Sequence, residues 1–310
     1  MRSADDKVVG VLLMAYGGPN SLDEVAAYLL DVRNGRPPDP ALVAEVRERY
    51  RRIGGRSPLL DLTRQQARAL ERALNAEGDR FRVAVGMRHW HPYIREALAQ
   101  MVAAGIRRLV AIPMAPHTSR LSVGAYIRKA EEARAELGVP LEVHYVESWN
   151  DEPLYLQALA EKVSQALRRF PAEVQGRVPI VFTAHSLPQR ILAEGDPYPQ
   201  ELMETVAGVV RHLGAVHWRF AYQSAGASPE PWLGPDVAAV LGELAAAGHR
   251  HVLVAPIGFV CDHVEVLYDV DILCRQQAAR LGMHLERTES LNTSPLLIQA
   301  LANLVIRHGF

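Results

Sequence analysis

Short, nearly unbroken apolar runs alternate along the chain with longer stretches in which apolar residues recur every three or four positions. The runs cover Val8–Met14, Phe81–Gly86, Leu109–Met114, Leu141–Glu147, Val178–Thr183, Trp218–Gln223, His251–Ile257 and Met283–Arg287. Apolar residues without alternation mark strands covered on both faces, as in a parallel sheet flanked by helices. Between the runs, the spacing predicts helices over stretches such as Pro92–Ala104, Ser122–Leu137, Pro153–Phe170, Pro199–Leu213, Pro235–Ala247 and Pro295–His308. Several open on proline, whose fixed φ suits the first helical turn. The predicted fold class is α/β, with parallel sheets flanked by helices.

The two halves echo each other. Ala103-Ala104-Gly105 leads through a basic turn into Leu109–Pro113, and Ala246-Ala247-Gly248 leads through another into Val252–Pro256. Each is a helix end, a glycine stop and a strand closed by proline. This predicts two Rossmann-like lobes, 1–150 and 151–310, with a switch near Asp151–Pro171 and a binding cleft between them. The last helix is expected to pack back on the N-terminal lobe. Residues 33–60 break the rhythm: a turn-rich connector, Arg33 to Pro40, precedes a charged helix carrying Arg47, Arg49, Arg51 and Arg52, then Gly54-Gly55. So long an excursion between strands predicts a lid or binding loop.

Bulk properties narrow the function. With 310 residues, 49% of them hydrophobic and a net charge of −1, the chain has material for a core and no global field to recruit nucleic acid or an anionic membrane. Two cysteines, Cys261 and Cys274, exclude a disulfide framework and any four-cysteine site made by one chain. They suit a reducing compartment. The segment Met1–Lys7 carries acidic residues and no small-residue cleavage site, unlike a signal peptide. No stretch reaches the ~18 uninterrupted apolar residues of a membrane span. The expectation is a cytoplasmic protein with no transmembrane segment.

Candidate chemistry gathers at predicted strand ends, where α/β sheets bind ligands. His185 closes one such run; it is either a proton carrier at neutral pH or a histidine bonded to nearby backbone. Asp262, Glu265 and Asp269 have i, i+3, i+7 spacing, which on an α-helix puts three carboxylates on one face, for a divalent cation or a proton path. Asp262 and Glu265 equally fit a helix N-cap, and the two readings are compatible. His263 sits off that stripe as a packing or supporting residue. Met14-Ala15-Tyr16-Gly17-Gly18-Pro19 allows close backbone approach but lacks the dinucleotide fingerprint, so no nucleotide cofactor is expected. Tyr16 offers a phenol oxygen or packs locally. Arg33, Arg36, Arg49, Arg51 and Arg52 either grip carboxylates or form a solvated face, the latter preferred for Arg51 and Arg52. Ser186 lacks a nucleophile elbow, and both cysteines read as inert core thiols.

These motifs, taken together, resemble the ferrochelatase family. The likeness runs from Met14–Pro19 through Ile53-Gly54-Gly55-Arg56-Ser57-Pro58-Leu59, Ala115-Pro116-His117, Glu147-Ser148-Trp149, Thr183–Pro188, Gly195–Pro199, Tyr222-Gln223-Ser224, Trp232–Pro235 and Gly258–Asp269 to the final helix. It implies a lyase that inserts ferrous iron into a porphyrin late in haem synthesis. His185 and Glu265 match the family's central pair at the metal and the pyrrole protons, with Asp262 and Asp269 as the supporting acidic stripe. Within the family the chain resembles the compact coproporphyrin-type enzymes. That implies Tyr16 as a ligand of the product's iron, and Arg33, Arg49, Tyr50, Ser57 and Tyr126 as porphyrin contacts.

Two departures stand out: Leu273 replaces an acidic residue one turn past Asp269, and Asn34 follows Arg33 where relatives often have a second arginine. The resemblance further implies no prosthetic group, no iron–sulfur cluster and no nucleic acid, with iron and porphyrin as substrates. The chain is expected to be a monomer open to transient contact with neighbouring haem-pathway enzymes. A protoporphyrin IX ferrochelatase or a cobalt chelatase on the same fold, and a non-catalytic haem or metal carrier, are the alternatives.

Overall fold

A computed structural model of the chain describes residues 8–226 and 228–309. The Met1–Lys7 segment, read above as no signal peptide, lies outside the described residues. All eight apolar runs form strands: β1 (Val9–Ala15), β2 (Phe81–Met87), β3 (Arg108–Pro113), β4 (Glu142–Tyr145), β5 (Ile180–His185), β6 (Trp218–Gln223), β7 (His251–Pro256) and β8 (His284–Arg287). They divide between two compact units. One runs to Trp149 and takes back the residues from Asn292 onward; the other is Asn150–Leu291.

In the first unit the sheet order is β2-β1-β3-β4, every pair parallel. All seven residues of β1 are buried, as its unbroken Val-Gly-Val-Leu-Leu-Met-Ala composition requires. Gly10 lets a helix approach: a Cβ there would lie 2.7 Å from Met101 and 2.8 Å from Leu109. Helices Ile94–Ala103 and Val123–Leu137 close one core around Leu12, Met14, Leu98 and Leu109. Helix Leu59–Leu74 packs against Pro295–His308, and the Gln66 amide donates to the Asn292 carbonyl at 2.8 Å. The charged helix of the connector is Pro40–Arg52, capped by Asp39, whose carboxylate accepts from the Ala41 amide at 2.8 Å.

The second unit repeats the plan. Its sheet order is β6-β5-β7-β8, again all parallel, and helices Val237–Ala246 and Arg275–Arg280 bury Val181, Val240, Val254 and Leu285. The sequence echo is a structural one. Gly105 and Gly248 both take φ near 90° (85° and 90°), where glycine meets no Cβ penalty. Their amides reach the carbonyls of Val102 and Ala245, each at 3.0 Å. Strand register extends the equivalence: Met14 pairs with Pro113 as Thr183 pairs with Pro256. Tyr16, two residues past Met14, therefore stands in its unit where His185, two past Thr183, stands in the other. Strands β4 and β8, each at a sheet edge, are only four residues long.

The segment after Val264 differs from expectation. Glu265–Cys274 is a π-helix, with one more residue per hydrogen-bonded turn than the α-helix on which the i, i+3, i+7 argument rests, and it passes into the α-helix Arg275–Arg280. No helix of the described residues is long and apolar enough to cross a membrane.

Candidate active site

His185 is the last residue of β5, at the carboxyl end of the strand between β6 and β7, where the sheet order reverses. Its backbone carbonyl accepts from the Tyr198 hydroxyl at 2.9 Å, which fixes the strand end. Its Nδ1 lies 2.9 Å from Oε2 of Glu265, the first residue of the π-helix. The sheet and the helix thus bring together residues 80 positions apart. Both side chains keep about 30% exposure (31% and 30%), enough for a ligand to reach them. With Nδ1 committed to Glu265, Nε2 has no partner among the described residues, the arrangement that leaves an imidazole nitrogen for a proton or a metal ion.

Opposing forces set the charge of this pair. Burial works against the His185 imidazolium, but the Glu265 carboxylate, its hydrogen bond and then Asp269 win, and the pKa rises above 6.5. For Glu265, burial favours the neutral acid, while His185, His263 and the Ser224 hydroxyl outweigh it and hold the carboxyl below 4.5. Both shifts favour the charged forms, which makes the ring a stronger base than a free imidazole. His263 stands 4.0 Å from Glu265 through Nε2, its Nδ1 donating to the Cys261 carbonyl at 3.1 Å. Burial pushes its pKa down.

The acidic residues divide. Asp269 joins the site through Ser224, whose hydroxyl donates to its Oδ2. Asp262 is engaged elsewhere: it accepts from Ser290 Oγ at 2.7 Å and pairs with Arg287 at 3.4 Å. Arg287 also holds Asp271 of the π-helix with two bonds of 2.8 and 2.9 Å. The three carboxylates do not form one line, because Asp262 precedes the π-helix and faces the end of β8. Leu273, the departure from the acidic stripe, is 42% exposed. The cysteines are buried, and burial pushes both thiols up to about 12, in keeping with inert core residues.

In the first unit Tyr16 follows β1 and is 41% exposed. Its ring lies 4.7 Å from that of His89, and the Arg88 guanidinium stands 5.7 Å from it and 5.9 Å from Tyr126. His89 is buried, its Nδ1 2.8 Å from Asp31, whose other oxygen accepts from the Tyr93 hydroxyl at 3.1 Å. Tyr50 and Ser57 are buried around Gly18, and Ser57 donates its amide to the Pro19 carbonyl at 2.8 Å. Arg49 pairs with Glu45 at 2.6 Å. Arg33, at the end of helix Val25–Val32, is exposed and has no side-chain partner among the described residues. Residue-by-residue reading missed Arg88, His89 and Asp31; the only signal was that Arg88 and His89 follow an apolar run as Tyr16 does.

A family profile described as Ferrochelatase matches residues 8–309. The chain belongs to the ferrochelatase family. It is 45% identical over 296 residues to a ferrochelatase of Herpetosiphon aurantiacus, covering 95% of this chain and 97% of that one. It is 40% identical over 304 residues to the coproporphyrin III ferrochelatase of Geobacillus kaustophilus, covering 97% and 96%. Among solved structures, SirB from Bacillus subtilis with Fe3+ superposes with a TM-score of 0.59 over 97% of this chain and 95% of that one, at 10% identity, a likeness of fold. As a ferrochelatase the chain is a porphyrin-metallating enzyme, with iron and porphyrin as its substrates.

Proposed function

We propose that this ferrochelatase acts in the cytoplasm and inserts ferrous iron into coproporphyrin III, giving iron coproporphyrin III. Metallation releases two pyrrole protons as a dication enters, so the site needs a base and an acidic partner close to the metal. In this reading His185 accepts protons through Nε2 while Glu265 holds the ring in the tautomer that frees that nitrogen, then passes charge towards Asp269. Tyr16 supplies a further oxygen donor to the metal. With two cysteines in the chain, both buried, one chain cannot supply the four thiolates of a cysteine-ligated cluster.

The observation that carries the catalytic assignment is the 2.9 Å contact between His185 and Glu265 at a strand end. The four-propionate substrate is supported by the Geobacillus relative's name and by Arg33, an exposed guanidinium with no side-chain partner among the described residues. An anaerobic iron-insertion assay with coproporphyrin III and protoporphyrin IX side by side tests it. The expected result is a kcat/KM at least about tenfold higher for coproporphyrin, roughly one charge-assisted contact's worth of discrimination. Equal rates, or a preference for protoporphyrin, refute the substrate assignment.

A further inference from the structure

Ser224 lies one residue beyond β6 with φ of 57°, in the left-handed region. The other two non-glycine residues of positive φ among those described are Asn34 and Asn292, and asparagine tolerates that region. A serine held there points to work for its side chain. Its hydroxyl donates to Asp269 Oδ2. It receives the Gln223 amide at 3.4 Å, and the same Nε2 donates to the Glu265 backbone carbonyl at 3.1 Å. Gln223 cannot turn away, because its Oε1 accepts from the Thr183 hydroxyl at 2.7 Å and both residues are shut off from solvent. A chain of buried polar groups thus runs from β5 through β6 to the first turn of the π-helix.

A carboxylate is an acceptor only, and the single proton of the Ser224 hydroxyl goes to Asp269. Without Ser224, Asp269 loses the donor that ties it to the end of β6. We infer that Ser224, oriented by Gln223, is a positioning residue for metal insertion: it holds the Asp269 carboxylate beside the helix turn whose Glu265 meets His185. The inference rests on the reading of His185 and Glu265 as the insertion pair. The left-handed backbone supplies the test. Glycine adopts φ of 57° without cost, so Ser224→Gly removes the hydroxyl and relieves the backbone, whereas Ser224→Ala removes the hydroxyl and keeps the strain.

Steady-state iron insertion in the full chain is expected to lose roughly tenfold to a hundredfold in kcat in both variants. The porphyrin KM should stay within about twofold. Ser224→Gly should melt no lower than the wild type. If Ser224→Gly turns over within about twofold of the wild type, or raises porphyrin KM while kcat is kept, the assignment is overturned. A wild-type chain that inserts iron separates that result from failure of the underlying reading; a wild type that inserts none overturns both.

Discussion

Glu265→Gln removes one negative charge and almost no volume from the pair with His185. At the observed 2.9 Å and an effective dielectric constant of about 20, the gross attraction is roughly 6 kcal/mol. In the wild type this pull, helped by Asp269, exceeds the burial that disfavours the imidazolium, since the ring titrates above 6.5. In the variant, burial is opposed only by the more remote Asp269. His185 should then titrate below 6.5, and the acid limb of the kcat/KM profile should move to lower pH. Stability follows with a definite sign. A histidine raised on folding stabilises fully below its ordinary 6.5 and loses that contribution as pH rises through its folded value. A carboxyl lowered on folding stabilises fully above its ordinary 4.5 and loses it as pH falls through its folded value. The stability lost in Glu265→Gln is therefore largest between pH 4.5 and 6.5. NMR titration of the imidazole Cε1 proton and urea midpoints across pH measure both effects. A variant in which His185 still titrates at or above 6.5 would show that the carboxylate is not what raises it.

Arg287→Met removes the bidentate cation from Asp271, leaving it Arg275 at 3.9 Å, and the ion pair from Asp262, and should destabilise the second unit by about 2–4 kcal/mol, below the full cost of a wholly buried pair. Differential scanning calorimetry should show a drop of several degrees, and an unchanged trace would mean the bidentate pair is idle. Gly18→Ala places a Cβ 2.7 Å from both Cβ and Oγ of buried Ser57, so Ser57 must move. The expected result is a severalfold rise in porphyrin KM and a loss of about 1–3 kcal/mol in chemical denaturation, and wild-type values for both would separate Ser57 from porphyrin binding.

The strands were readable because both faces of each central strand are covered, which leaves no alternation to obscure them. His185 and Glu265 could be singled out from their places at a strand end and a helix start. Their contact depends on long-range geometry that only the fold supplies. The carboxylate stripe failed at Asp262 because that residue lies before the helix, held by Ser290 and Arg287, and no sequence signal places the helix start after it. Gln223 and Ser224 entered the sequence reading only within the family-like segment Tyr222-Gln223-Ser224, with no role of their own. Their importance comes from a left-handed backbone and from Thr183, forty positions away, both visible only in three dimensions. Helix boundaries drifted by a few residues, as at Pro153–Leu167, where the predicted end was Phe170.

The two four-residue strands at sheet edges bear on how the chain survives its own synthesis. An open sheet edge is a template on which another chain can add a strand, and long apolar edges seed aggregates. β4 and β8 offer little length for this and place Glu142, Glu286 and Arg287 among their few residues. β2 and β6 are longer, but each exposes an arginine, Arg82 and Arg219. Unlike the hydrophobic centres, the borders of both sheets are poorly suited to growth, which favours recovery of folded rather than aggregated chains when the protein is refolded at high concentration.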